Sequence, residues 1–154
     1  MHLTRFTDYG LRTLIYLALR PGELASIAEI SAAYRISENH MIKVVHRLSL
    51  AGLIESIRGR NGGIRLARPP SDIGLGDVVR ATEHSLALVE CQAGGPCAIA
   101  GVCRLHGIMD EAQEAMLAVL DRYSLADVTG AQRQALRHRL GILRLAGDPG
   151  DCSA

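Results

Sequence analysis

The sequence predicts a mainly α-helical protein, in which a winged helix-turn-helix domain precedes a cysteine-containing loop and a long helix. Three observations predict this architecture. Two short helical segments are separated by a tight turn, and an Asn-Gly pair lies between two alternating apolar segments. Three cysteines then recur at a fixed spacing, just before a long amphipathic segment.

The amino-acid composition limits the classes of protein to which this chain can belong. The chain has 154 residues, of which 48% are hydrophobic, with one Phe and no Trp, so its core has to be built from aliphatic side chains, which favours helices. The sequence contains neither an apolar run near the ~18 residues of a membrane span nor a secretory signal. We therefore expect a cytoplasmic protein with no membrane partner. In the cytoplasm, clustered cysteines more often bind metal or carry out redox chemistry than form disulfides.

Three helices are predicted in the first 52 residues. The first is expected to be capped by Thr7, with Asp8 in its first turn, where the helix dipole favours a carboxylate. Ser26 and Glu29 form a capping box that opens a second, short helix. Ser37 is expected to cap the third helix, whose apolar positions should face the core: Met41, Val44, Val45 and Leu48.

A hairpin follows the third helix, because alternating segments at residues 53–58 and 64–67 flank a glycine-rich turn. A helix-turn-helix with such a hairpin is a winged helix, and arginine at its tip suits a narrow minor groove. Residues 1–70 carry a net charge of +5, against −4 for the rest, which fits double-stranded DNA as the partner but also an ordinary solvated surface. The candidate DNA contacts are Ser26, Ser37, Asn39, His40, Lys43, Arg58 and Arg60.

The cysteine loop is the second candidate site. Five residues separate Cys91 from Cys97, and five more separate Cys97 from Cys103. Thiolates bind zinc, copper(I) and iron–sulfur clusters, but structural zinc usually takes four ligands with closer pairs. The wide spacing suits an iron–sulfur cluster, while zinc or three reduced thiols remain open. Three cysteines leave the position of a fourth ligand open. The candidates for it are His106, Asp8 and, least favoured, Cys152 in the tail.

A long helix is predicted after Cys103, to about Arg122, and Ser124 is expected to cap a last short helix. The long helix has a broad apolar stripe, which the same helix of a second subunit would cover. The chain is thus expected to divide into a winged-helix domain (1–70), a cysteine loop with a dimerisation helix (71–128) and a tail that is partly helical (129–154). The stripe comprises Leu105, Ile108, Ala112, Ala115 and Val119, widened by Met109 and Met116.

Taken together, these motifs resemble the Rrf2 superfamily of bacterial winged-helix iron–sulfur regulators. The resemblance covers essentially residues 1–128 and rests on segments 3–12, 39–45, 58–63 and the cysteine triad with the Arg-Leu pair that follows it. It implies a homodimeric transcription repressor, not an enzyme, that leaves a palindromic operator when nitric oxide reacts with its cluster. It also implies a [4Fe–4S] cluster on the ligands Cys91, Cys97, Cys103 and Asp8 of the partner subunit.

One residue departs from the pattern of the nitric-oxide-sensing members. His106 stands where the cluster-biogenesis regulators of the same superfamily have a histidine ligand to a [2Fe–2S] cluster. A [2Fe–2S] cluster and a regulator of iron–sulfur or iron status are therefore alternatives. Two further interpretations are an electron carrier or enzyme, which has no use for an Arg-tipped hairpin, and a zinc-stabilised regulator without sensing.

Overall fold

The computed structural model describes residues 2–142, so Cys152 lies outside the described residues. Within that range, helices dominate and the two strands form one antiparallel sheet, which confirms the predicted fold class. Short 3-10 turns cover Pro70–Asp72 and Glu90–Ala93. The elements in chain order are α1 (Arg5–Ala18), α2 (Ile27–Tyr34), α3 (Glu38–Leu50), β1 (Ile54–Ile57), β2 (Gly63–Leu66), α4 (Leu75–Thr82), α5 (Leu105–Leu120), α6 (Leu125–Thr129) and α7 (Arg133–Arg139).

The first helix begins earlier than predicted. Thr4 is the N-cap, and its Oγ1 accepts a hydrogen bond from the backbone N–H of Thr7 at 3.3 Å. The prediction that Thr7 caps the helix was wrong, because Thr7 is a buried residue of the first turn. Its hydroxyl instead donates to the carboxylate of Glu83, which is 76 residues away along the chain.

The helix-turn-helix follows the predicted pattern. Ser26 Oγ accepts from the Glu29 N–H at 3.1 Å, and the Ser26 N–H donates to Glu29 Oε2 at 2.6 Å, so the capping box is complete. Arg35, with φ of 55°, ends α2 in the left-handed conformation and turns the chain toward α3. Ser37 takes the N-cap position of α3 without a side-chain hydrogen bond. The predicted apolar stripe of α3 is buried.

The β1–β2 hairpin, which forms the wing, is joined at its base to the segment before α2. Ile54 pairs with Leu66 at one end of the hairpin, and Ile57 pairs with Gly63 at the other. Backbone hydrogen bonds of 3.0 and 2.9 Å also join Ala25, which lies just before α2, to Ile64 in an isolated β-bridge. A Cβ on Gly63 would lie 2.8 Å from the Ala25 carbonyl oxygen, which explains the glycine at this close approach.

The core draws on residues from both sides of residue 70. Ile73, Val78 and Leu125 are fully buried in the same cluster as the side chains of α1 and α3. The chain returns to this cluster after α5, because the Leu125 N–H donates to the Ile73 carbonyl at 2.9 Å. The cysteine loop and α5 therefore form a segment that leaves the core cluster and returns to it, so both ends of this segment are attached to the cluster.

The long helix α5 contains no buried residue. Side chains of its apolar stripe remain about half exposed, with Leu105 at 48%, Ile108 at 50% and Val119 at 45%. Across residues 2–142, none of the helices has both the length and the apolar character needed to cross a lipid bilayer.

Candidate nucleic-acid interface and metal centre

The first turns of α3 present polar side chains to solvent. Asn39, His40 and Lys43 are exposed there, opposite the buried stripe of the same helix. Sequence reasoning missed Ile42, an apolar residue 51% exposed on the same surface, although its position between Asn39 and Lys43 was a signal. An exposed apolar side chain on such a helix can contact a thymine methyl group. Ser26 is less available, because its hydroxyl is used in the capping box.

The wing carries two exposed arginines in its turn, Arg58 and Arg60. Arg65, which lies within β2, is instead bonded across the hairpin to Glu55, with an N–O distance of 3.0 Å. Among residues 2–142, the ion pairs formed do not involve Arg58 or Arg60. Both guanidinium groups are thus placed to meet an external anion such as a phosphate.

The three cysteines line one cavity of about 470 Å³, and all are free thiols. Cys91 lies in a 3-10 turn, and Gly94, with φ of 81°, reverses the chain after it. The centre of the loop is exposed, including Cys97. Much of the remaining lining is small, which leaves room for a bound group: Gly95, Ala100, Gly101 and Gly107.

The donor set that lines this cavity consists mainly of thiols, which as thiolates bind zinc, copper(I) and iron–sulfur clusters. Among residues 2–142, three or more His, Cys, Asp or Glu side chains are nowhere grouped so as to hold a metal ion. The thiols nevertheless share one cavity. An iron–sulfur cluster is larger than one ion and is held by thiolates bound to separate iron atoms, so its ligands need not converge on a point.

His106 lines the same cavity from the first turn of α5. Its Nδ1 lies 2.9 Å from Oδ2 of Asp110, and Oδ1 of Asp110 accepts a hydrogen bond of 2.8 Å from Nε2 of Gln92. A carboxylate on Nδ1 of a neutral imidazole leaves Nε2 free to accept a hydrogen bond or to bind metal. Sequence reasoning missed Gln92 and Asp110 as members of this site.

Asp8 lies on α1 and is not among the residues that line the cavity of its own chain. Its Oδ1 is 2.9 Å from Nε of Arg12, one turn further along the helix. The Arg12 guanidinium carbon in turn lies 5.8 Å from the ring centroid of Tyr34, whose pKa is raised to about 12 by burial. Asp8 is therefore linked through Arg12 to the end of α2.

Comparison with known proteins places the sequence among transcriptional regulators. The sequence model of the Rrf2 family, described as an iron-dependent transcriptional regulator, matches residues 3–131. The HTH-type transcriptional regulator NsrR of Bacillus subtilis (strain 168) is 51% identical over 131 residues, which cover 83% of this chain and 90% of the relative.

Solved structures share the fold. CymR, the global cysteine regulator of B. subtilis, is 28% identical with a TM-score of 0.69, over 83% of this chain and 95% of CymR. T. potens IscR is 24% identical with a TM-score of 0.71, over 96% of this chain and 94% of that chain. At this level of identity, the likeness to IscR concerns the fold alone.

Proposed function

This chain belongs to the Rrf2 family of transcriptional regulators, and we propose that it is a repressor whose operator binding is controlled by an iron–sulfur cluster that reacts with nitric oxide. The relatives at about 50% identity are named as transcriptional regulators and not as enzymes. The observation that carries the proposal is that three free thiols line one cavity, in a chain whose wing and third helix, α3, the expected recognition helix, present exposed polar and charged side chains.

The proposed ligands of a [4Fe–4S] cluster are Cys91, Cys97, Cys103 and Asp8 of the partner subunit. When bound, the cluster supplies iron atoms that react with nitric oxide. A carboxylate oxygen is a weaker ligand than a thiolate in a sulfur-rich site. Asp8 would therefore be the ligand that is displaced most readily, which suits a sensor.

The contacts of Asp8 suggest how the site acts on DNA binding. Asp8 pairs with Arg12, and the Arg12 guanidinium lies over the ring of Tyr34, the last residue of α2. Because α1 also packs against α3, a change in the position of Asp8 is passed to both helices of the helix-turn-helix. Release of Asp8 would then disturb the spacing of the recognition helices.

This arrangement requires a homodimer, and we propose that it forms through α5. The stripe on α5 exposes Leu105, Ile108 and Val119, and an apolar stripe of this width is stabilised by burial against a second copy. Two-fold symmetry would place two copies of α3 in successive major grooves of a palindromic operator. Arg58 and Arg60 would then contact the flanking minor grooves.

A second candidate function is favoured by one observation. His106 lines the cavity, and Asp110 holds its Nδ1, which leaves Nε2 for a metal. With His106 as the fourth ligand, the group would be a [2Fe–2S] cluster, and the chain would report iron–sulfur or iron status, as a regulator similar to IscR.

The test is an anaerobic absorption spectrum combined with DNA binding, before and after nitric oxide is added. We expect a brown protein that binds an operator selected from random duplexes, and a loss of affinity of at least about tenfold, or ~1.4 kcal/mol, after nitric oxide. A colourless protein containing zinc would contradict the cluster. Loss of DNA binding on iron removal but not on nitric oxide treatment would favour the second candidate.

A further inference from the structure

A chain of hydrogen bonds closes the base of the cysteine loop. Oε1 of Gln92 accepts from the backbone N–H groups of Leu88 and Val89 at 2.7 and 3.2 Å. Nε2 of Gln92 donates to Oδ1 of Asp110 at 2.8 Å, and Oδ2 of Asp110 lies 2.9 Å from His106 Nδ1. The segment just before Cys91 is thereby joined to the second turn of α5.

The position of this link matters because the loop itself has little regular structure. Beyond the 3-10 turn that holds Cys91, the loop consists of turns and residues without regular structure up to the start of α5, and most of it is exposed. An unsupported loop of this length loses conformational entropy when its thiols are ordered around one centre. Gln92 follows Cys91 directly and Asp110 lies seven residues after Cys103, so the Gln92–Asp110 bond restricts the separation of the two ends of the loop.

We propose that Gln92 and Asp110 are positioning residues of the cluster site, which hold Cys91 and Cys103 across the cavity and fix the ring of His106. The inference rests on the proposed function. Neither side chain lines the cavity, so both act through the residues that do. Groups of this kind, which orient the residues that contact a metal, typically change metal affinity by about 10- to 100-fold when they are removed.

The donors and acceptors in the hydrogen bonds of Gln92, Asp110 and His106 can be exchanged by substitution, which provides a test of the proposal. With the proton of His106 on Nδ1, Asp110→Asn leaves one acceptor oxygen between two donors, Nε2 of Gln92 and Nδ1–H of His106, so one hydrogen bond is lost. Gln92→Glu places two carboxylates within hydrogen-bond distance. The double variant restores every bond with the central one reversed, because the new amide donates to the new carboxylate and still accepts from His106. It also keeps the net charge of the wild type.

The experiment measures how fast the cluster is lost to an iron chelator, followed anaerobically by absorbance, in the wild type, both single variants and the double variant. We expect loss to be about tenfold faster in each single variant and within about twofold of the wild type in the double variant. Glu111→Gln, an exposed neighbour of Asp110 on α5, is the charge control and should behave as the wild type.

A second measurement does not need the cluster. Gln92→Leu removes the acceptor for the Leu88 and Val89 N–H groups, so their amide hydrogen exchange in the metal-free protein should become faster. Wild-type exchange rates in that variant would overturn the proposed role of Gln92. Unchanged cluster lifetimes in the single variants would also overturn the proposal, as would a double variant that loses its cluster as fast as the faster of the two single variants. If the wild type assembled no cluster, the proposed function would fall together with this inference.

Discussion

Thr7 donates a hydrogen bond of 2.6 Å from its Oγ1 to Oε1 of Glu83, which fastens the first helix to the C-terminal end of α4. The same oxygen accepts from the N–H and the hydroxyl of Thr4 at 2.7 and 3.0 Å. Burial alone would raise the pKa of Glu83, but the hydrogen bonds from Thr7 and Thr4 outweigh it and lower the pKa. Since α1 also carries Asp8, this contact joins a candidate ligand to the segment that leads into the cysteine loop.

Replacing Glu83 by Gln should lower the free energy of unfolding by about 1–3 kcal/mol at neutral pH, because hydrogen bonds to a charged acceptor are weakened. The folded-state pKa lies below the ordinary value of 4.5, so the carboxylate's contribution is present above that value and is lost as the pH falls through the folded pKa. Urea unfolding should therefore show a difference from the wild type that is largest near neutral pH and shrinks in acid. Glu114→Gln, an exposed change on α5, is the control. A difference independent of pH would contradict this account.

Alanine at Lys43 or Arg58 should weaken operator binding and leave the absorption spectrum of the cluster unchanged. If each side chain contacts one phosphate, each substitution should also reduce the slope of log K against log salt by about 1. Fluorescence anisotropy at several salt concentrations measures both quantities. Arg122→Ala removes an exposed positive charge outside the recognition helix and the wing, and should have little effect. Unchanged affinity in both test variants would argue against the DNA-binding surface.

Replacing Cys91, Cys97 or Cys103 by Ala should abolish stable cluster assembly, because two thiolates hold a cluster poorly. Iron and sulfide content after anaerobic reconstitution provides the measurement. Cys152→Ala is the matched control, since it removes the remaining cysteine of the chain. Loss of iron in the Cys152 variant, with the other three variants intact, would mean that the ligand set is wrong.

The fourth ligand is tested by comparing Asp8→Ala with His106→Ala. We expect Asp8→Ala to keep a cluster on the three cysteines, with an altered spectrum and weaker control of DNA binding. His106→Ala should change little, if Asp8 of the partner subunit completes the site. The reverse result, with a spectrum altered only in the His106 variant, would favour the regulator similar to IscR.

A charge on the apolar stripe of α5 should separate the proposed dimer. Ile108→Asp places a carboxylate on a half-exposed apolar position, so burying that position against a second copy becomes costly. Light scattering should report a monomer, and operator affinity should fall by more than about tenfold, because two half-sites are no longer bound together. Glu114→Lys, outside the stripe, should remain dimeric. A wild type that is already monomeric would rule out this interface.

Several features could be predicted from the sequence because their causes lie within a few residues. The capping box at Ser26 joins residues three positions apart, and the hairpin requires only its two strands and the glycine-rich turn between them, although that turn spans five residues (58–62) and has its left-handed residue at Gly59 rather than at the Asn-Gly pair. The spacing of the three cysteines and the stripe on α5 are likewise local patterns, and the shared cavity and exposed helix agree with them. Family membership followed from the combination of these motifs.

Other features depended on the tertiary structure, because their partners lie far apart in the chain. Threonine is a residue type that is common at helix N-caps, yet the hydroxyl of Thr7 donates a hydrogen bond to Glu83, 76 residues away. Gln92 and Asp110 are 18 residues apart and form no periodic pattern, so their hydrogen bond could not be inferred before the loop was folded onto α5. Such a hydrogen bond forms only when folding brings the donor close to the acceptor. Apolar periodicity in the sequence indicates which face of a helix or strand is buried, but it does not indicate which polar groups of distant segments lie against that element.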